Sequence, residues 1–174
     1  MATIHKNLSE IGTELPSAAD MRIGIVVSEW NEQITGALLE GAVRTLKNAG
    51  CDEQNIEVKR VPGRSNFPSG AVFRRVHRCG RRDRAGLRDP GRDAAFRLCG
   101  CQGVTQGVTQ LMLSWNMPVA FGVLTTENLQ QAIDRAGGKY GNKGDEAAAA
   151  VIKMIALQIE MEPEETEADR KKIN

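Results

Sequence analysis

The chain is poor in groups from which a metal or thiol site could be built. It has two histidines, His5 and His77, and four cysteines, Cys51, Cys79, Cys99 and Cys101. Cys99 and Cys101 form a C-x-C with no second ligand pair at zinc spacing, so ordinary thiols are expected and no metal. Nor is a disulfide framework expected at this length without a secretory leader. No apolar run approaches the roughly 18–20 residues that span a bilayer. The opening stretch, MATIHKNLSEIGTELPSAADM, lacks the apolar core of a signal peptide. The expectation is a cytoplasmic protein away from membranes. A net charge of +1 gives no whole-chain argument for nucleic acid. The glycines between 137 and 144 follow neither G-x-G-x-x-G nor a P-loop, and a tight turn is the reading there.

What is present fits one domain over residues 1–174, with an extended arm at 1–20 and a charged tail at 161–174. Arg22 to Val27, RIGIVV, is a β-branched run of the kind that forms a buried parallel strand. Glu32 to Asn48 places Ile34, Leu38, Ala42 and Leu46 on one helical face, and Asn48 and Gly50 end it. Ile56 to Val61 alternates as a second strand, closed by Pro62 and Gly63. Helices are expected over 101–116, over Thr126 to Ala136 and over Asn142 to Glu160, with a strand at Pro118 to Leu124. The order predicts an α/β fold, a three-layer α/β/α sandwich with a mostly parallel sheet. Sites in such folds lie at the carboxyl ends of strands. That directs attention to the loops at Trp30, at Gly63 and after Leu124.

Residues 64–100 do not fit this plan. Ten of the 15 arginines fall there, at 64, 74, 75, 78, 81, 82, 84, 88, 92 and 97, with no Lys, Glu or Ile. The fold needs a helix and a central strand before residue 101, yet the stretch offers no apolar strand. Unpaired arginines buried in that place would cost several kcal/mol each, roughly. Arg-rich, Lys-free text is what GC-rich coding DNA gives when read out of frame. With third bases chosen to suit, residues 74–98 read one base later give AEYTDVDAVIALGCVIQGETPHFDY: a helix end, a turn, an apolar strand and a polar loop. Residues 64–69 read from the third base of each codon give FELPF after a Ser. The other reading of the stretch is a non-catalytic protein with an Arg-rich insert that binds nucleic acid electrostatically. A generic flavodoxin-like binding module is a further alternative.

SEWNEQIT, VPG, CQGVTQG, FGVLTTENLQQAIDRAG and GNKGDEAA together resemble the lumazine synthase family over roughly residues 20–63 and 101–160. The shifted SFELP and GCVIQGETPHFDY resemble it too. The resemblance implies a flavodoxin-like lumazine synthase fold and subunits assembled as pentamers or larger shells. It also implies joining of 5-amino-6-ribitylamino-pyrimidinedione to 3,4-dihydroxy-2-butanone 4-phosphate without a cofactor. Neither membrane nor nucleic acid is an expected partner. Trp30 matches the family's aromatic that stacks on the pyrimidine, and Phe121 a pocket position supplied by a neighbouring subunit. Arg135 matches the phosphate-binding arginine, and Lys143 a lysine near substrate or interface. The family's proton-transfer His belongs to HFDY. No His stands there in this sequence, its shifted codon straddling Ala95 and Phe96. A chain with 64–100 as they stand is therefore expected to be inactive.

Overall fold

A computed structural model describes residues 7, 9–10, 14–62, 70–75 and 102–161. In chain order the elements are β1 (Ile23–Ser28), α1 (Glu32–Asn48), a 3-10 turn (Glu53–Asn55), β2 (Ile56–Val61) and β3 (Gly70–Arg75). After them come α2 (Gln102–Trp115), β4 (Val119–Val123), α3 (Leu129–Arg135), β5 (Ala136–Gly138), β6 (Gly141–Asn142) and α4 (Lys143–Met161). Four strands form one sheet in the order β2-β1-β3-β4, and β5 and β6 form a separate ribbon.

The core lies on one face of the sheet. Ile23, Ile25 and Val27 of β1 are each 0% exposed. They share one cluster with Ala42 and Leu46 of α1 and with Ala148, Val151, Ile152 and Ile155 of α4. The period-2 pattern of the strand and the 3.6-residue pattern of the two helices thus meet on one surface. From residue 14 the N-terminal arm is tied to the same body. Ala18 donates its N–H to the Ala49 carbonyl at 2.8 Å and is fully buried. Helix α1 opens at Asn31, whose φ of 56° is left-handed, a conformation Asn tolerates better than most residues. Cys51 is a buried free thiol, pushed above its ordinary value first by burial and then by the nearby Asp52.

Between Val61 and residue 101 the structure corrects one expectation. Gly70–Arg75 does form a strand, and it takes the slot between β1 and β4. Gly-Ala-Val-Phe is just long enough an uncharged run to pair. Its direction is the informative part. β1 and β2 are parallel, whereas β3 is antiparallel to both β1 and β4. Strands β1, β2 and β4 therefore point one way and β3 runs against them. A parallel crossover needs about a dozen residues or more. Residues 62–69 are fewer than that, so the chain re-enters the sheet from the end at which β2 left it.

Helices α1 and α4 make the most extensive helix–helix contact, and two glycines set how closely they approach. A methyl added at Gly41 would lie 2.5 Å from the Asn142 side chain and 2.7 Å from Oδ1 of Asp145. One added at Gly144 would collide with the Leu38 carbonyl. That carbonyl is helix backbone and cannot turn aside. Gly144→Ala is expected to cost about 3 kcal/mol, read as a lower urea midpoint. Gly36 of α1, with nothing within 4 Å of its added methyl, is the control. Gly36→Ala is expected to stabilise by about 0.5–1 kcal/mol through helix propensity.

Candidate active site

Trp30 follows β1 in the loop that leads into α1, at the carboxyl end of the strand. Ser28 is wholly buried, and its Oγ accepts the Trp30 N–H at 3.0 Å. Thr35 Oγ1 donates to the Trp30 carbonyl at 3.4 Å. The backbone is thus held from both sides while the side chain stays half exposed. Phe121 sits in the middle of β4, its Cα paired with that of Val72. Its neighbour Ala120 joins the core with α4. Strand alternation therefore turns Phe121 to the other face of the sheet.

Arg135 and Lys143 are brought together by local structure. Arg135 ends α3 and Lys143 begins α4, and between them runs the β5–β6 ribbon. Ala136 pairs with Asn142. The two cationic residues thus directly flank a cross-strand pair, whose Cα atoms lie roughly 5 Å apart. The ribbon turns through Lys139 and Tyr140. Gly137 and Gly141, at φ 107° and 80°, take conformations that side chains disfavour. At Gly138 an added methyl would lie 2.8 Å from the Ile133 carbonyl, because the ribbon folds back over the end of α3. Arg135 Nη1 donates to the Gln131 carbonyl at 3.1 Å, and its guanidinium lies 5.2 Å from the centre of the Tyr140 ring. Lys143 Nζ pairs with Glu146 Oε1 at 2.6 Å. The other carboxylate oxygen of Glu146 is enclosed without a hydrogen-bond partner among the described residues.

The ribbon is anchored on α1. The Asn142 side-chain amide donates to the Ala37 carbonyl at 2.8 Å, and its Oδ1 accepts the Gly144 N–H at 2.7 Å. Asn142 N–H donates to Ser9 Oγ at 2.9 Å. Three residues on, in the first turn of α4, buried Asp145 accepts two hydrogen bonds from Arg44 Nη2, at 2.9 and 3.0 Å, and one from Thr45 Oγ1 at 3.2 Å. A second small core supports the same end of the sheet. Ile34 and Leu38 of α1 pack with Ala132 and Ala136, beside Leu124 at the end of β4. Trp30, Arg135 and Lys143 therefore hang on one support at the carboxyl ends of β1 and β4, and Phe121 does not join them within one chain.

The profile of the 6,7-dimethyl-8-ribityllumazine synthase family matches residues 20–158. The chain belongs to this family. A lumazine synthase of Parabacteroides distasonis is 48% identical over 159 residues, which is 89% of this chain and 98% of that protein. One from Porphyromonas gingivalis is 45% identical over 160 residues, covering 91% of this chain and 99% of the relative. One from Bacteroides fragilis is 50% identical over 138 residues, 78% and 94% of the two chains. Lumazine synthases are transferases of riboflavin biosynthesis, and the α/β arrangement described above is consistent with their flavodoxin-like fold.

The lumazine synthase motifs pick out Trp30, Phe121, Arg135 and Lys143. They do not pick out Tyr140 and Glu146, which touch Arg135 and Lys143, or Asn142 and Asp145, which tie the ribbon and the start of α4 to α1. Part of that signal was in the sequence, since Asn and Asp favour helix starts. The pairing of Asp145 with Arg44, 101 residues away, was not. Ala95 and Phe96, where the shifted His codon falls, lie outside the described residues, as does the Arg-rich stretch 64–100 apart from 70–75. Among the described residues no helix is long and apolar enough to cross a membrane, and no cluster of His, Cys, Asp and Glu could hold a metal ion.

Proposed function

We propose that the protein condenses 5-amino-6-ribitylamino-pyrimidinedione with 3,4-dihydroxy-2-butanone 4-phosphate, giving 6,7-dimethyl-8-ribityllumazine, phosphate and water. The observation that carries the residue assignment is the ribbon that sets Arg135 beside Lys143. A guanidinium offers a phosphate two parallel hydrogen bonds, and an adjacent ammonium adds a compact charge. Trp30, on a fixed backbone with its indole half exposed, supplies a flat apolar surface for the pyrimidine ring. Phe121 faces the other side of the sheet, which suits a role in a neighbouring subunit's site. The amine attacks the ketone and expels a first water to form an imine, phosphate leaves by elimination, and ring closure expels a second water. The protein's part is to hold the two substrates in reach of each other. The proton-transfer role falls to the His of HFDY in the shifted reading of 64–100, and the working enzyme carries that reading. It acts in the cytoplasm, without a cofactor.

Self-association completes the proposal. Leu111, Leu113 and Trp115 of α2 are exposed in the single chain, as are Met154, Leu157, Ile159 and Met161 of α4. Apolar side chains gathered in this way along two helices suit burial against further copies of the chain, in a pentamer or larger shell.

Intact mass and a tryptic map of the purified protein test the central claim. The shifted reading of 74–98 contains no Lys or Arg and leaves one long peptide ending beyond residue 101. Residues 64–100 as they stand are cut at many of their ten arginines. Short Arg-ended fragments from active protein would overturn the assignment of the proton-transfer group.

A further inference from the structure

We propose that Tyr140 is a positioning residue for Arg135, holding the guanidinium in the orientation in which it grips the substrate phosphate. The proposal rests on the phosphate role given to Arg135 above. An arginine at the last position of a helix has several rotamers open to it, and orienting it costs side-chain entropy. Here two contacts restrict it. Nη1 donates to the Gln131 carbonyl at 3.1 Å, one turn back on α3. The guanidinium carbon lies 5.2 Å from the centre of the Tyr140 ring, within the range over which a cation is drawn to an aromatic face.

The backbone that carries the ring is itself tied down. Tyr140 N–H donates to the Asp134 carbonyl at 2.8 Å, satisfying one of the orphan acceptors that every helix leaves at its end. Tyr140 is thereby tied to the residue next to Arg135, and the β5–β6 pairing limits how far its turn can swing. Lys139 Nζ lies 5.3 Å from the same ring centre. The ring thus gathers two of the three cationic side chains of this segment, and Glu146 holds the third, Lys143. An arginine left to hydrogen bonds alone could turn its fork away from the ligand. With an aromatic face beside it, the fork is constrained before the phosphate arrives.

Isothermal titration of the full-length protein with inorganic phosphate at low salt tests this, comparing the parent with Tyr140→Phe, Tyr140→Leu and Arg135→Ala. Phe keeps the ring and should bind like the parent, whereas Leu should bind about five-fold more weakly. The thermal midpoint should stay level across the Tyr140 variants, since the backbone tie to Asp134 is kept. Should the Leu variant not fold, Tyr140→Gln takes its place. Leu binding as tightly as the parent while Arg135→Ala loses binding would overturn the positioning role and leave the phosphate role standing. Equal weakening in Phe and Leu would put the effect on the hydroxyl and overturn the proposal. Unchanged binding in Arg135→Ala, or a parent that binds no phosphate, would remove the phosphate role and this inference with it.

Discussion

An enzyme with AEYTDVDAVIALGCVIQGETPHFDY in place of residues 74–98 is expected to form lumazine at least about 10³-fold faster than the chain with those residues as they stand. A positioned acid–base group typically contributes about 10²–10⁴. The chain as it stands has only His5 and His77, neither of them in an HFDY setting. The exchange also bears on the sheet. The slot beside β1 is flanked by strands on both sides, and such a strand is best filled by a near-continuous apolar run. AVIALGCVI is one, while GAVFRR ends in two arginines. Lumazine formation followed by absorbance, with the two chains side by side, is the measurement. Equal rates would show that the proton-transfer group lies elsewhere and that the shifted reading has no bearing on catalysis.

In that active background, Arg135→Ala should lower kcat/KM by about 10²–10³, the range for losing one preorganised charged contact to a developing anion. The loss should concentrate on the phosphorylated ketone. The KM for the pyrimidine, which the proposal places against Trp30, should move little. Arg135→Lys separates charge from shape. It keeps the positive charge but loses the planar fork, and a loss of about ten-fold is expected, intermediate between parent and Ala. Steady-state kinetics with each substrate varied in turn decide the matter. A loss shared equally between the substrates would indicate that Arg135 supports the fold of the ribbon and does not hold phosphate.

The frame of the fold was legible in the sequence, as were the residues proposed for the outer part of the site. Helix α1 and strand β2 have the boundaries that periodicity and stop signals predict, because the chemistry that ends them is local. Glycine spacing foretold a turn between α3 and α4. It did not reveal a paired ribbon, since Ala136 and Asn142 are joined by backbone bonds that side-chain identity barely encodes. Strand β3 escaped for a different reason. Its sequence is a weak strand signal, and what recruits it is the slot between β1 and β4, a tertiary demand. Motif matching isolated Trp30, Arg135 and Lys143 yet passed over Tyr140 and Asp145. The role of those two comes from neighbours: a helix-end arginine in one case, and in the other an α1 arginine and threonine about a hundred residues upstream.

That distance has a kinetic side. Asn142 reaches Ala37 across 105 residues of chain, and Asp145 reaches Arg44 across 101. Long-range closures of this kind slow folding because chain entropy is lost before the contacts form. During synthesis β1 and α1 leave the ribosome well before α4, and the apolar face they share stays uncovered meanwhile. At about 5–20 residues per second the wait lasts several seconds. Aggregation in this protein should therefore begin from nascent or truncated chains ending before residue 144.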